Sequence, residues 1–241
     1  MDIQQTLVPY LESRTDFYEM LHKLYRYPLS EEEIDALSAD EFRALSEDLG
    51  DGIMACGFND LYRALRRRNT GTRQVLSADF TKVFMGIATY EGFSGQPYAS
   101  LFTDEGAQLM GSERGAARKI YREHAVQLSE GIDLPEDHLA FECEFLAIVN
   151  RRAVEALMDG QTDKAIELLR VQENFVRERI LPWFPRFYAL ASHLVDTRFY
   201  RGVLRITKGY LEETVEVIPE IIEEIEVASQ VAAKSNKRLA R

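Results

Sequence analysis

Only two cysteines, Cys56 and Cys143, occur in 241 residues, and both fall inside apolar helical patterns far apart in the chain. That excludes a disulfide framework and a thiolate metal site, and it fits a reducing cytosol. Histidine is equally scarce. The four present, His22, His124, His138 and His193, include no pair at metal-ligand spacing, so neither a metal nor another cofactor is expected. No apolar run approaches the ~18 residues that cross a bilayer, and Met1 to Tyr10 lacks a basic stretch followed by a long apolar one. The expectation is a cytoplasmic protein, neither exported nor inserted in a membrane. Positive charge is in deficit, with 29 lysines and arginines against 40 acids and a net charge of −11. Such a chain disfavours nucleic acid and steers in cationic ligands or peptides. Its one basic run, Arg66, Arg67 and Arg68, reads as a solvated helix end near the negative dipole pole; internal and followed by no apolar segment, it is not an export signal. Glycine motifs that cradle phosphates are missing. Gly92-Phe93-Ser94-Gly95-Gln96 imitates a nucleophile elbow, but Gln96 stands where the second glycine belongs and no strand precedes it.

Strand periodicity is nearly absent too, so the expected fold class is all-α. The expectation is a single-domain bundle of about ten helices over 1–233 with a flexible basic tail at 234–241. Phe17, Met20, Leu21, Leu24 and Tyr25 share one face of a helix from Asp16 to Tyr27, Pro28 ends it, and Ser30 with Glu33 forms a capping box for the next. A helix from Asp40 to Phe58 contains Gly50 and Gly52 as points of fracture, and Leu61 to Arg68 follows. Ser77 to Met85 carries Phe80, Val83 and Phe84 on its apolar face. Gly86 to Ser100 differs: three glycines and Pro97 interleave with Tyr90, Phe93 and Tyr98, the chemistry of an aromatic-rich loop that either plugs two layers or lines a groove. Helices from Leu101 to Met110 and Ser112 to Ser129 come next. The last third reads as Thr162 to Ile180, Trp183 to Val195, Thr197 to Val217 and Pro219 to Ala233.

Between these lies the most apolar helical pattern, Leu139 to Met158, where Leu139, Cys143, Leu146, Val149, Ala153 and Leu157 recur every three or four residues. Asp133 as cap, with Pro135, Glu136 and Asp137 in the first turn, marks its N-terminus. His138 at its mouth is either a satisfied structural histidine or part of a functional rim. Glu142 and Glu144 point to different faces and read as surface charge.

Pro135-Glu136-Asp137-His138 running into a buried helix, with Pro97 to Phe102 (P-Y-A-S-L-F), Leu109 to Gly111 (L-M-G), Leu181 to Phe187 (L-P-W-F-P-R-F) and Arg198 to Arg201 (R-F-Y-R), resembles the TorD/DmsD/NarJ group of redox-enzyme maturation chaperones over roughly Asp16 to Leu211. The resemblance implies an all-helical domain that binds the twin-arginine signal peptide of a molybdenum-cofactor oxidoreductase subunit and delays export until the cofactor is loaded. Carried over by motif, the peptide-binding residues are Phe80, Val83, Phe84, Tyr98, Phe102, Gly111, Pro135, Asp137 and His138. The family often has tryptophan where Phe80, Tyr98 and Phe102 stand, whereas here Trp183 is the only one. A neutral His138 tolerates an arriving guanidinium and a protonated one repels it, so binding is expected to fall as pH drops through about 6.5. The resemblance allows a monomer or a helix-exchanged dimer, with Gly86 to Ser100 as hinge. A second reading is an enzyme, a hydrolase or nucleotide-hydrolysing helical protein, using Asp137 and His138.

Overall fold

A computed structural model describes residues 3–103, 112–127 and 134–239. Helix follows helix: α1 (Ile3–Arg26), α2 (Glu31–Ala36), α3 (Ala39–Leu49), α4 (Ile53–Leu65) and α5 (Thr72–Phe84) precede a hairpin of β1 (Thr89–Tyr90) and β2 (Phe93–Ser94). Then come α6 (Ser100–Thr103), α7 (Ser112–Glu123), α8 (Leu139–Met158), α9 (Thr162–Phe175), a π-helical segment Val176–Ile180, α10 (Phe184–Leu194) and α11 (Arg198–Leu239). The all-α expectation holds. The two-residue strands pair antiparallel, Thr89 with Ser94 and Tyr90 with Phe93, and among the described residues no helix is long and apolar enough to cross a membrane.

α8 spans the predicted residues and lies at the centre, packed between α1 and α9. Leu139, Cys143, Leu146, Val149 and Ala153 on its stripe are fully buried, as is Phe145 beside it. A polar seam fixes how its neighbours sit: the Asn150 amide donates to Leu11 O at 2.6 Å and to Thr15 Oγ1 at 2.8 Å, while Gln172 Nε2 donates to Asn150 Oδ1 at 2.9 Å. A slip of α1, α8 or α9 by one residue would strand those amides. α11 packs on α4 at glycines. A Cβ placed on Gly202 would stand 2.8 Å from Gly57 O, so two backbones meet where side chains would hold them apart.

Several boundaries differ from the sequence reading for physical reasons. α1 begins well before Asp16 and contains Pro9. Gly50 and Gly52, at φ 65° and 134°, do fracture the chain between α3 and α4, and the stretch from Leu61 joins α4. The capping box forms as expected, with Glu33 N donating to Ser30 Oγ at 3.1 Å and Ser30 N to Glu33 Oε2 at 2.8 Å. α8 is capped by His138, not Asp133, which lies outside the described residues, as does most of Leu101 to Met110. The helix from Ser112 ends at Glu123.

The largest correction concerns Pro219. It does not separate two helices but sits inside one, which runs on to Leu239 through the first part of the segment read as a tail. Proline has no N–H to give the carbonyl four residues back, here Val215 O. Arg177 Nη2 donates to that carbonyl at 3.2 Å instead. Arg177 comes from the π-helical segment, which had been read as the end of a regular helix.

Candidate functional site

The site begins with a turn: His138 N donates to Pro135 O at 3.0 Å and brings Asp137 and His138 to the head of α8. Two backbone bonds fasten this turn to the segment before α6, from Leu139 N to Pro97 O at 2.9 Å and from Ala99 N to Asp137 O at 3.1 Å. Tyr98 and His138 therefore oppose each other as an antiparallel bridge, their rings edge to face with centroids 4.7 Å apart. Asp137 Oδ2 accepts from Ser100 N at 3.0 Å, holding the start of α6. Phe102 on that helix stacks on Trp183 at 5.9 Å and meets Phe187 edge-on at 5.9 Å. Phe187 in turn lies 6.2 Å from Phe84, whose neighbours are Phe80 and Tyr200.

The structure thus brings Tyr98, Phe102, Pro135, Asp137 and His138 together and joins Phe80 and Phe84 to them through Phe187. Gly111 lies outside the described residues. Burial departs from an open groove: Phe80, Val83, Phe84 and Asp137 are inaccessible or nearly so, and Tyr98 and Phe102 are 7% and 9% exposed. In the free protein these side chains form a closed aromatic block.

Electrostatics correct two readings. His138 Nδ1 accepts the N–H of Ala140 at 3.0 Å, an N-terminal cap made by an imidazole. Burial, with a smaller contribution from His22, pushes its pKa down to about 3. The ring is neutral at every physiological pH, so it does not switch near 6.5. Glu142 is not surface charge. It is fully buried, neither carboxylate oxygen has a hydrogen-bond partner among the described residues, and burial raises its pKa well above the ordinary range; Arg179 opposes that rise while Asp137 and Glu113 reinforce it. Sequence held the signal, because Glu142 stands three residues after Leu139 and four before Leu146, on the buried stripe.

Asp137 Oδ1 and Ser100 Oγ are likewise buried without hydrogen-bond partners among the described residues. At the rim the acids are matched: Arg114 bonds Glu136, Arg179 bonds Glu113, and Tyr121 donates to Glu136 O at 3.0 Å. The Glu136 carboxyl is opposed by partial burial but pulled below its ordinary pKa by the Arg114 bond and charge. Among the described residues no group of three or more His, Cys, Asp or Glu side chains is disposed to hold a metal ion. Of the two groups a hydrolytic reading would use, His138 Nδ1 is committed to Ala140 N and Asp137 Oδ2 to Ser100 N.

Comparison with known proteins bears on most of the chain. The family model described as nitrate reductase delta subunit matches residues 31–189. Chaperone protein TorD of Vibrio cholerae is 27% identical over 216 residues, covering 88% of this chain and 95% of the relative. TorD of Vibrio atlanticus is 28% identical over 196 residues, covering 80% and 88%. A solved structure, a redox enzyme maturation protein from Archaeoglobus fulgidus, aligns with a TM-score of 0.42 at 17% identity, covering 84% of this chain and 93% of that one. With its all-helical fold and a match over most of its length, the chain belongs to the nitrate reductase delta subunit family, the TorD-type redox-enzyme maturation chaperones, and is a chaperone, not an enzyme.

Proposed function

We propose that this protein is a cytoplasmic chaperone that holds the twin-arginine leader of a molybdenum-cofactor oxidoreductase subunit and keeps the client from export until its cofactor is loaded. The observation that carries the reading is Asp137: one carboxylate oxygen anchors α6 while the other has no partner among the described residues, in the layer where Tyr98 and His138 meet. A leader of this class presents two guanidinium groups and an apolar helix, so its receptor needs fixed negative charge beside apolar surface. In this reading Asp137 receives an arginine, Tyr98, Phe102, Pro135 and His138 frame the entrance, and Phe80, Val83 and Phe84 back the apolar wall. Gly111 joins the rim by motif. Because those side chains are buried in the free protein, the leader enters by parting the packing around α6. The observed affinity is then reduced by the population of the opened form.

The test is a titration of a synthetic twin-arginine leader into wild type and Asp137→Asn, with a melting curve for each. The amide oxygen of asparagine keeps an acceptor for Ser100 N, so stability should change by at most about 1 kcal/mol. Loss of the charge-assisted contact should weaken binding roughly 10-fold or more. Unchanged affinity in a folded variant would leave Asp137 only its grip on α6.

A further inference from the structure

Orphaned buried polar atoms are few in native proteins, and each one calls for a reason. Here several gather at one place. Asp137 Oδ1, both carboxylate oxygens of Glu142 and the hydroxyl of Ser100 are all buried without a hydrogen bond among the described residues. Ser100 and Asp137 are joined directly by the backbone bond at 3.0 Å. Asp137 and Glu142 are close enough for the charge of one to oppose ionisation of the other. The four atoms can all accept hydrogen bonds, and one group with a matching set of donors is a guanidinium, with five N–H bonds in a fixed fork; an ammonium has three on a compact head. The chain already pairs guanidinium with carboxylate around this place, Arg114 with Glu136 and Arg179 with Glu113.

We propose that Glu142 is a second cation acceptor beside Asp137, protonated in the free protein, which gives its proton to solvent as the guanidinium of a leader arginine takes its place. The inference rests on the leader-binding reading above and adds to it a residue and a proton. In the step the Glu142 O–H bond breaks heterolytically, the carboxylate keeps the electron pair and bonds the arginine N–H groups, and the proton passes to buffer. Nothing is oxidised or reduced.

Groups from several elements face Glu142. From α7 it faces Tyr121 and Glu113, from the π-helical segment Arg179, from the turn before α8 Asp137, and on its own helix Cys143. Tyr121 and Cys143 are held neutral by burial, and Arg179 is tied to Glu113. His138, at the same helix head, stays neutral down to about 3, held there by burial and, to a smaller extent, by His22 on α1. Comparing wild type with Glu142→Gln assigns any proton released between pH 6 and 8 as leader binds.

The experiment is calorimetric titration of the full chain with a synthetic twin-arginine leader peptide, between pH 6 and 8 and in two buffers of different ionisation enthalpy. Wild type should release up to about one proton per peptide, with affinity rising by up to about tenfold per pH unit. Glu142→Gln copies the neutral acid in shape and hydrogen bonding, so it should fold. Its binding should be insensitive to pH, release no proton and be at least about tenfold weaker at pH 8. Independently of any variant, the infrared C=O band of a protonated carboxylic acid should be present in the free protein at pH 7 and vanish on saturation with peptide. Equal proton release from wild type and Glu142→Gln, or a band that survives saturation, overturns the proposal while leader binding stands. Absence of leader binding to wild type overturns both.

Discussion

A buried imidazole that accepts a backbone N–H through Nδ1 must keep that nitrogen unprotonated, and this governs how the head of α8 behaves in acid. Folded His138 takes a proton only near pH 3, whereas the unfolded chain takes one near the ordinary value of 6.5. The stabilisation from the neutral ring is therefore complete above about 6.5 and is lost as pH falls toward 3, on the order of 5 kcal/mol in all. Urea denaturation of wild type and His138→Asn at stepped pH should show it. Asparagine also caps helices, so the variant should lose less stability than wild type between pH 6 and 4. Parallel pH profiles would show that His138 is not the group responsible. At this scale the sequence was half legible. Asp137 and His138 stood out because their motif marks a helix start, yet whether an imidazole caps or titrates depends on which backbone N–H it meets, and sequence does not show that. Glu142, two positions from Glu144, looks solvated until the stripe is counted.

Elements defined by their own residues were easier to read than elements completed by others. α8 was legible from Leu139 to Met158 because its stripe is local, although its cap is His138 and not Asp133, and the break between α3 and α4 was legible because Gly50 and Gly52 adopt backbone angles that favour glycine. α11 was not. Pro219 announces a break from sequence, and the guanidinium that repairs it comes from Arg177, 42 positions earlier. Pro219→Ala should restore the Val215 carbonyl's intrahelical donor and raise stability by about 1–3 kcal/mol, since an interior proline costs about 3 and the Arg177 bond already offsets part of that. Arg177→Ala should do the reverse in wild type and have little effect in the alanine background. Thermal melts of the four proteins form the cycle, and additive effects would break the link between the two residues. The hairpin of β1 and β2 was illegible because two-residue strands have no periodicity to detect.

Over the whole molecule, an excess of eleven negative charges would attract the cationic leader proposed above before any contact forms. Raising salt from ~0.05 to ~0.5 M should weaken leader affinity roughly three- to tenfold, mainly by slowing association; binding indifferent to salt would mean that apolar contacts alone decide it. The all-α class expected from sequence is the one observed, while the closed state of the aromatic block did not follow from sequence, because aromatic residues fill a gap or line a groove with the same composition. Trp183 turns that closure into something visible. It is the chain's only tryptophan, fully buried and stacked on Phe102 of the helix that Asp137 holds. The protein therefore carries a single indole fluorophore, placed at the joint that the proposed leader would loosen, and its ultraviolet emission should move to longer wavelength as peptide is added, with no label attached. An emission spectrum unmoved at saturating peptide would mean that α6 stays closed when the leader is bound.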